Sequence, residues 1–373
     1  MKVLIVANYA KEHINKFHLS TIKKFKEMGW QVDVACRLDE EVPYCDHAYD
    51  LPLARNPFRL QTFFAIKRLR DIIEHEQYDV VHCHTYAGKF VGILTSNRFR
   101  KQGLKVVYSA HGLQYFKGAS ALSWLLFMPV DKWLVSKTDV LVTANQEDFE
   151  TVRRHRFPYS ALEKCCGAGV KLERFDHDDG QSRESVRRDL GISEDSTALI
   201  YVAELNRNKN QEMLIHMLKL LSERVPNVYL LLVGPDHCSG AIQKAAEVAG
   251  VSANVKCLGW RSDVPALIRA ADCAVASSIR EGFGVNILEY MYCKVPVVAV
   301  DNRGHREIIE NGVDGFIVPQ NDHVAMAEKV ECILADKNLK GRFVEKALET
   351  VEKFKDEAIV EQIVEIYKKN NLC

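Results

Sequence analysis

Short apolar runs alternate along the chain with longer segments in which apolar residues recur every three or four positions. A buried strand, an amphipathic helix and a second strand give this pattern, which is typical of a parallel sheet. In the first half the predicted strands are Val3–Ala7, Gln31–Cys36, Val80–Cys83, Val106–Ser109 and Val140–Thr143. The predicted helices are Phe17–Met28, Leu60–Glu76, Gly88–Phe99 and Trp124–Ser136. The first half is therefore predicted to be a doubly wound α/β domain.

The same alternation begins again after the polar stretch Asp176–Arg188. The predicted strands of the second half are Ala198–Ala203, Tyr229–Val233, Val255–Leu258, Cys273–Ala276 and Val297–Ala299, with a helix at Glu212–Arg224. Two α/β domains in tandem agree with a length of 373 residues. We predict a first domain of residues 1–172 and a second of residues 173–355. The helix-like segment Asp356–Lys369 lies in a C-terminal stretch, residues 356–373, that is expected to pack back on the first domain.

Composition narrows the class of protein. The chain is 47% apolar and 27% charged, which excludes global disorder. The longest apolar stretch, Ala121–Val135, contains polar and proline breaks and is shorter than a bilayer span, and Val3–Ala7 is too short for a signal-peptide core. Eleven cysteines are too sparse for a disulfide scaffold of this size. We therefore expect a cytoplasmic protein with reduced cysteines.

Charge is distributed unevenly although the net charge is zero. A division near Lys171 leaves 25 basic and 18 acidic residues before it and 25 basic and 32 acidic residues after it. The first half therefore has a net charge of about +7 and the second half a net charge of about −7. The first half either faces an anionic partner, such as a membrane surface or a phosphorylated acceptor, or attracts the acidic second half.

The segment Ala119–Val135 has two interpretations. It is either an ordinary core helix or a peripheral contact with the inner face of the cell membrane. Its large apolar residues and the basic residues considered with them are Trp124, Leu125, Leu126, Phe127, Met128, Trp133, Arg98, Arg100 and Lys101.

A phosphate-binding site is predicted after the strand Cys273–Ala276, because ligands of open α/β sheets bind beyond the carboxyl ends of the strands. Gly282 and Gly284 are expected to allow a tight turn and close approach of backbone to ligand. The next helix, Val285–Tyr292, would then present free N–H groups to an anion. The structural alternative is a glycine loop beside a solvated acid.

Carboxylates and cations surround that predicted site. Glu281 and Glu289 can accept hydrogen bonds from sugar hydroxyls. Arg207 and Lys209 supply positive charge suited to a diphosphate, unless their loop is simply solvated. Together these residues predict a donor that contains a pyrophosphate.

The segment Glu281–Glu289 and several further motifs resemble those of a known family. Glu281-Gly-Phe-Gly-Val-Asn-Ile-Leu-Glu289 is similar to the Glu-x7-Glu signature of retaining glycosyltransferases of family 4, which have the GT-B fold. The other matching motifs are Ala110-His-Gly112, Gly167-Ala-Gly-Val170, Ala203-Glu-Leu-Asn-Arg-Asn-Lys-Asn210, Leu258-Gly-Trp-Arg-Ser-Asp263, Val295-Pro-Val-Val298 and Asn311-Gly-Val-Asp-Gly-Phe316. The resemblance implies two Rossmann-like domains that face a central cleft, the first binding the acceptor and the second the nucleotide sugar.

The resemblance also implies roles for individual residues. Glu281 would hold donor-sugar hydroxyls, Glu289 the ribose hydroxyls and Lys209 the diphosphate. His111 would contact the donor sugar near the reacting centre. The remaining donor-binding residues implied are Arg207, Gly282, Phe283, Gly284, Val285 and Asn286, with Gly259, Trp260 and Arg261 along the base. No cofactor and no bound metal are expected.

Two positions depart from the family pattern. The family usually has an arginine where this chain has Glu204, and Arg207 is expected to supply the missing charge. The first loop, Asn8–His18, lacks the paired glycines that many members carry, so its role in donor or acceptor contact is left open.

The expected reaction is transfer of a sugar from a nucleotide-diphosphate sugar, expected to be a UDP-sugar, with retention of configuration. Glu204-Leu-Asn206 before the lysine, His111-Gly112, and Phe116, Lys117 and Gly118 together resemble bacterial enzymes of capsule and exopolysaccharide assembly, which implies a glycan acceptor. If Ala119–Val135 contacts the membrane, the acceptor would be a lipid-diphosphate-linked sugar. Front-face attack needs no protein nucleophile, whereas double displacement would use a carboxylate. A sugar-nucleotide epimerase and a non-catalytic sugar-nucleotide-binding protein are the alternatives.

Other classes of function have little support. The first strand runs into Asn8-Tyr9-Ala10 without the glycine turn of a nicotinamide dehydrogenase. Basic clusters interleaved with aromatic residues are absent from the sequence, which disfavours nucleic acid. Metal is disfavoured at His82-Cys83-His84, where alternation separates the cysteine from the histidines and no further ligands follow nearby. Asp176-His-Asp178 resembles a metal-binding acid pair of a different glycosyltransferase fold, but it lies in a polar linker, so this likeness is interpreted as a coincidence. Cys165-Cys166 are interpreted as packing residues.

Overall fold

The computed structural model describes residues 1–53, 60–165, 169–176 and 181–373. The chain divides into two compact units. The first unit comprises Met1–Gly169 and Asp356–Cys373, and the second comprises Val170–Lys355. Each unit contains one parallel sheet with helices between its strands.

The first unit contains a seven-stranded sheet of order β3-β2-β1-β4-β5-β6-β7 in which every pairing is parallel. The strands are β1 Lys2–Tyr9, β2 Gln31–Arg37, β3 His47–Asp50, β4 Val80–Cys83, β5 Lys105–Ala110, β6 Val140–Thr143 and β7 Ala161–Lys164. The central strands are apolar on both faces because helices cover both sides of the sheet. The predicted doubly wound domain is confirmed.

Helices connect these strands. The α-helices are α1 Asn15–Phe17, α2 Leu19–Glu27, α3 Gln61–Glu76, α4 Tyr86–Ser96, α5 Ala121–Val135 and α6 Gln146–Arg154. A π-helix, Ala10–Ile14, leads from β1 into α1, and a 3₁₀ turn follows α4 at Arg100–Gln102. Side chains cap several starts; Asn145, for example, accepts a hydrogen bond from the Asp148 backbone N–H at the start of α6.

The second unit contains a six-stranded parallel sheet of order β10-β9-β8-β11-β12-β13. Its strands are β8 Thr197–Val202, β9 Val228–Val233, β10 Val255–Gly259, β11 Cys273–Ala276, β12 Val297–Val300 and β13 Phe316–Val318. Its α-helices are α7 Glu173–Asp176, α8 Arg183–Asp189, α9 Gln211–Ser222, α10 Ala241–Ala249, α11 Val264–Ala270, α12 Val285–Tyr292, α13 Arg303–Ile308, α14 His323–Ala335 and α15 Lys337–Glu352, with a 3₁₀ turn at Ser252–Asn254. The second predicted α/β domain is likewise confirmed as Rossmann-like.

The C-terminal helix α16, Asp356–Lys369, belongs to the first unit. Tyr367 packs against the rings of Phe25 and Trp30, and its hydroxyl lies 2.9 Å from His82 Nδ1. With this helix included, the first unit has 26 basic and 22 acidic residues, a net charge of about +4. The charge difference between the units is therefore smaller than a division near Lys171 suggests.

Helix α5 packs one set of its large apolar residues against the core and exposes another. Trp124, Phe127 and Met128 pack against the core, whereas Leu122, Leu125, Leu126 and Trp133 are exposed. Arg100 is bound to Asp139, just after the C-terminal end of α5, so it lies far from the exposed leucines near the start of the helix. Within the described residues, the length and hydropathy needed to cross a membrane are met by no helix.

Candidate active site

Two loops at the carboxyl ends of the neighbouring strands β8 and β11 are joined by hydrogen bonds. The Ser277 hydroxyl donates to the Lys209 carbonyl at 2.7 Å, and the Ile279 N–H donates to the Asn208 carbonyl at 2.8 Å. Lys209 Nζ lies 2.5 Å from Glu281 Oε1, and these side chains are 23% and 17% exposed. The structure therefore brings the predicted cation and the predicted carboxylate together at a partly open edge of the sheet.

Helix α13 supports the loop that carries Glu281. Asn302 Nδ2 donates to the Ser278 carbonyl at 2.8 Å, and Arg303 Nε donates to the Glu281 carbonyl at 3.3 Å. A Cβ added at Gly304 would lie 2.7 Å from Glu281 Cβ. Sequence reasoning missed these supporting residues because they follow the next strand, β12, and carry no motif that it weighed.

The glycines before α12 serve packing rather than a left-handed turn. Gly284 has a φ of −95°, which any residue adopts, and Gly282 is not among the glycines of positive φ. A Cβ at Gly284 would lie 3.1 Å from Ile287 Cγ1 and 3.2 Å from His305 Cδ2, so the position is tight. Gly284 is thus in close contact with α13, and the expected tight turn beside a ligand stays a prediction.

The start of α12 is open to an anion. Gly284 has no side chain to cap the helix, and the first N–H groups of any α-helix lack intrahelical acceptors. The side chain of Asn286 points to the end of β8, where it donates to the Val202 carbonyl at 3.3 Å. Asn286 and Val285 can therefore serve an anion through their backbone amides.

Glu289 is buried and forms an ion pair with Arg174 of the short helix α7. Burial raises the pKa of Glu289, and the positive charge of Arg174 acts in the opposite direction. Arg174 is 58% exposed, so it covers the carboxylate from the solvent side. Sequence reasoning missed this partner because it lies 115 residues earlier in the chain.

Three further predicted donor-binding residues, Arg207, Trp260 and Arg261, lie in the loops after β8 and β10. Arg207 is exposed and makes no ion pair with any described residue. Trp260, which follows β10, is 75% exposed, and Arg261 binds Asp263 with Nε 2.7 Å from Oδ1. Since β9 separates β10 from β8, Trp260 follows a strand roughly 10 Å from the strand that precedes Lys209.

In the first unit, His111 lies in a cluster of histidines at the carboxyl ends of β4 and β5. His84 follows β4, and its Nδ1 lies 3.1 Å from His111 Nε2. His18, at the start of α2, packs with its ring centroid 4.0 Å from that of His84. One nitrogen from each of His18, His84 and His111 lies within 4.8 Å of the other two. The sequence around His84 offered no further ligand, but the fold supplies two from other loops.

These imidazoles are neutral near pH 7. Burial lowers the pKa of His82 to about 3, and it lowers those of His18 and His84 well below their ordinary value. His111 has an exposed surface, but desolvation of its ring and the nearby His13 lower its pKa to about 4. The histidine cluster of the first unit is therefore uncharged, unlike the site in the second unit.

Parts of three predicted motifs fall outside the described residues. These are Gly167 and Ala168 of the Gly167–Val170 motif, Cys166 of the cysteine pair, and His177 and Asp178 of the acidic pair. Cys165 is buried, and Asp176 accepts a hydrogen bond from the Tyr292 hydroxyl.

Comparison with known proteins gives a consistent family. The model "Glycosyltransferase Family 4" matches residues 15–163, and "Glycosyl transferases group 1" matches residues 182–350. The Bacillus subtilis protein EpsD, assigned as a glycosyltransferase, is 39% identical over 95% of this chain and 93% of its own.

Two further proteins are more distant. The Escherichia coli UDP-Gal:alpha-D-GlcNAc-diphosphoundecaprenol alpha-1,3-galactosyltransferase is 24% identical over 78% of this chain and 77% of its own. The Anabaena protein Alr3699/HepE, solved in complex with UDP and glucose, superposes with a TM-score of 0.80 at 20% identity and covers 99% of this chain and 100% of its own. At that identity the structural likeness shows the fold alone, which is GT-B.

Proposed function

Because the chain belongs to the family 4 and group 1 glycosyltransferases, we propose that it transfers a sugar, with retention of configuration, from a UDP-sugar to a glycan or lipid-diphosphate-linked acceptor of surface polysaccharide. That it is a glycosyltransferase follows from the family. The observation that carries the finer proposal is the Lys209–Glu281 pair beside the open start of α12. UDP as the nucleotide is supported by the Anabaena protein, solved in complex with UDP and glucose, and by the Escherichia coli relative, which is named for UDP-Gal.

Lys209 is the residue we assign to the leaving diphosphate. Departure of the nucleotide places negative charge on the diphosphate, and fixed positive groups stabilise that charge as it develops. Lys209 Nζ lies 2.5 Å from Glu281 Oε1, so binding of a diphosphate would exchange a carboxylate partner for a phosphate partner. The backbone amides of Val285 and Asn286 add to this stabilisation, and Arg207 is our candidate for the second cation.

Glu281 is assigned to the hydroxyls of the donor sugar, and Glu289 to the ribose. Arg174 must leave Glu289 for the ribose to bind there, and its exposed position permits this movement. Front-face attack needs no covalent sugar–enzyme intermediate, and it is the course of reaction that we propose. His111 is assigned to the donor sugar on the family resemblance. We propose that the transfer itself uses no metal or cofactor.

The acceptor side is assigned to the first unit. Leu122, Leu125 and Leu126 of α5 are exposed, as are Phe63 and Phe64 of α3. Such an apolar surface suits a peripheral contact with the membrane in which a lipid-linked acceptor resides. The Escherichia coli relative is named for a diphosphoundecaprenol-linked acceptor, which supports this class of substrate.

A transfer assay tests the proposal. The purified chain is incubated with a panel of UDP-sugars and an undecaprenyl-diphosphate-linked sugar, and the anomeric configuration of the product is read by NMR. We expect an acceptor-dependent product that retains the configuration of the donor. An inverted product would overturn the retaining mechanism. An isomerised nucleotide sugar formed without acceptor would indicate an epimerase, an alternative that the family does not favour.

A further inference from the structure

Three imidazoles of the first unit converge on one point although they come from three separate connections. His84 directly follows β4 and His111 directly follows β5, so their positions are set by two neighbouring strands of the sheet. His18 reaches the same point from the start of α2. Their nearest ring nitrogens lie within 4.8 Å of one another, and the His84–His111 pair is at 3.1 Å.

His18 has no other evident task in this cluster. Its residue is buried at 5% exposure, and its ring makes no hydrogen bond to any described residue. The ring lines a cavity of about 20 Å³ together with His82, His84 and His111, which is room for about one water molecule.

The fourth histidine, His82, is not part of the convergent set. Its Nε2 lies 2.8 Å from the Ser109 hydroxyl and its Nδ1 lies 2.9 Å from the Tyr367 hydroxyl, so both nitrogens are occupied. Its ring packs 4.2 Å from that of His84. His82 therefore supports the position of His84 and leaves three imidazoles for a ligand.

The chemistry of three neutral imidazoles suits a borderline transition metal ion. Zn²⁺ binds imidazole nitrogen at about 2.0–2.1 Å, which puts the nitrogens of a tetrahedral site roughly 3.4 Å apart. The His84–His111 spacing is close to that value, and one His18 nitrogen lies within 4.8 Å of both. His84 Nδ1 and His111 Nε2 share a hydrogen bond, so one of these rings must change tautomer before both nitrogens can bind the metal.

We propose that His18, His84 and His111 bind one Zn²⁺ ion, with water as the fourth ligand, and that this ion inhibits sugar transfer by holding His111. The inhibitory part rests on the proposed contact of His111 with the donor sugar, whereas the binding part does not. The site is thus a regulatory position in a transferase that needs no metal for its reaction.

Metal binding is tested without reference to activity. The metal-free chain is titrated with Zn²⁺ in competition with a chromogenic chelator, and with Co²⁺ to record the visible bands of four-coordinate cobalt. We expect His18→Ala to weaken Zn²⁺ binding at least about tenfold and to abolish the cobalt bands. His75→Ala removes an exposed histidine of the same unit and should bind Zn²⁺ as the wild type does.

Thermal unfolding of each variant shows whether it is folded, and His18→Gln serves if His18→Ala is not. Equal Zn²⁺ affinity in the wild type and the folded His18 variant would overturn the site. In the transfer assay, Zn²⁺ is expected to lower the wild-type rate at least tenfold, reversibly on chelation, and to lower the His18→Ala rate less. Undiminished transfer at saturating Zn²⁺ would overturn the inhibitory role. A folded, metal-free chain that transfers no sugar would instead contradict the proposed function, whatever its affinity for Zn²⁺.

Discussion

The two sheets of this molecule place different chemistry at equivalent positions. Their strand orders correspond, so β1, β4 and β5 of the first unit match β8, β11 and β12 of the second. His18 lies in the connection after β1 and Lys209 in the connection after β8, while His84 follows β4 and Glu281 lies in the loop after β11. The topology determines where a site forms, and the residue types determine what it binds.

Burial accounts for the difference between the two sites. Lys209 and Glu281 keep some contact with solvent, which allows both to stay charged and to exchange partners. The histidines are desolvated and therefore neutral, which suits them to a metal ion rather than to an anion. A substitution in one site should therefore not change which kind of ligand, an anion or a metal ion, the other site binds.

The largest expected effect is on turnover. Lys209→Ala removes the cation assigned to the leaving diphosphate and should lower kcat by about 10²–10³-fold, as loss of one transition-state donor does in other enzymes. Steady-state transfer with a UDP-sugar measures this. Glu281→Ala should also lower turnover by orders of magnitude. Zn²⁺ binding should be unaffected in both variants, and near-normal turnover in either would contradict the role assigned to that residue.

The next effect tests the support of Glu281 by α13. A Cβ at Gly304 would meet Glu281 Cβ at 2.7 Å, so Gly304→Ala should displace the loop, cost about 1–3 kcal/mol of unfolding free energy and reduce turnover. Gly341 lies within α15 with open space around it, so Gly341→Ala should stabilise the protein by about 0.5–1 kcal/mol without affecting turnover. Equal behaviour of the two variants in urea unfolding would show that the close approach at Gly304 has no consequence.

The sequence predicted the buried parts of the fold because those strands are continuous apolar runs. Val80–Cys83, Val140–Thr143 and Cys273–Ala276 were predicted with their observed bounds. Three of the four edge strands, β3, β7 and β13, were not predicted. His47–Asp50 is largely exposed and Ala161–Lys164 is largely half-buried, and both mix polar with apolar residues, so they lack the signal of a buried strand.

The charged site was easier to predict than the histidine cluster. Glu281 and Glu289 lie close together in sequence beside glycines and a helix start, so their relation is visible in one segment. His18, His84 and His111 are brought together only by the order of β1, β4 and β5, which the sequence pattern does not reveal. The pairing of Arg174 with Glu289 depends in the same way on tertiary structure.

The two units should respond oppositely to mild acid, and the histidines give the larger response. His82 has a folded pKa of about 3 against an ordinary value of 6.5, so the unfolded chain binds more protons and stability is lost as the pH falls below about 6.5. At pH 5 this single group costs about 2 kcal/mol relative to pH 7.

Tryptophan fluorescence follows this loss, because three of the four tryptophans, Trp30, Trp124 and Trp133, belong to the first unit. His82→Gln should unfold with a smaller decrease in stability between pH 7 and pH 5 than the wild type. An identical decrease would mean that His82 is protonated in the folded protein.

Glu289 gives the smallest expected effect, with the opposite sign. The pKa of Glu289 is raised in the folded state, so the folded chain binds a proton at this carboxylate more readily than the unfolded chain does. Protonation of Glu289 therefore stabilises the folded chain, and this stabilisation is lost as the pH rises through the folded pKa. Arg174→Ala removes the positive charge that limits this loss of stability. Because Arg174 is 58% exposed, the substitution should lower the free energy of unfolding at pH 7 by no more than about 1 kcal/mol. This effect of the substitution should vanish at pH 4. The double variant Arg174→Ala, Glu289→Gln should show no such dependence on pH in urea unfolding. A cost of Arg174→Ala that is equal at both pH values would place its effect in packing against Phe175 rather than in the charge of Glu289.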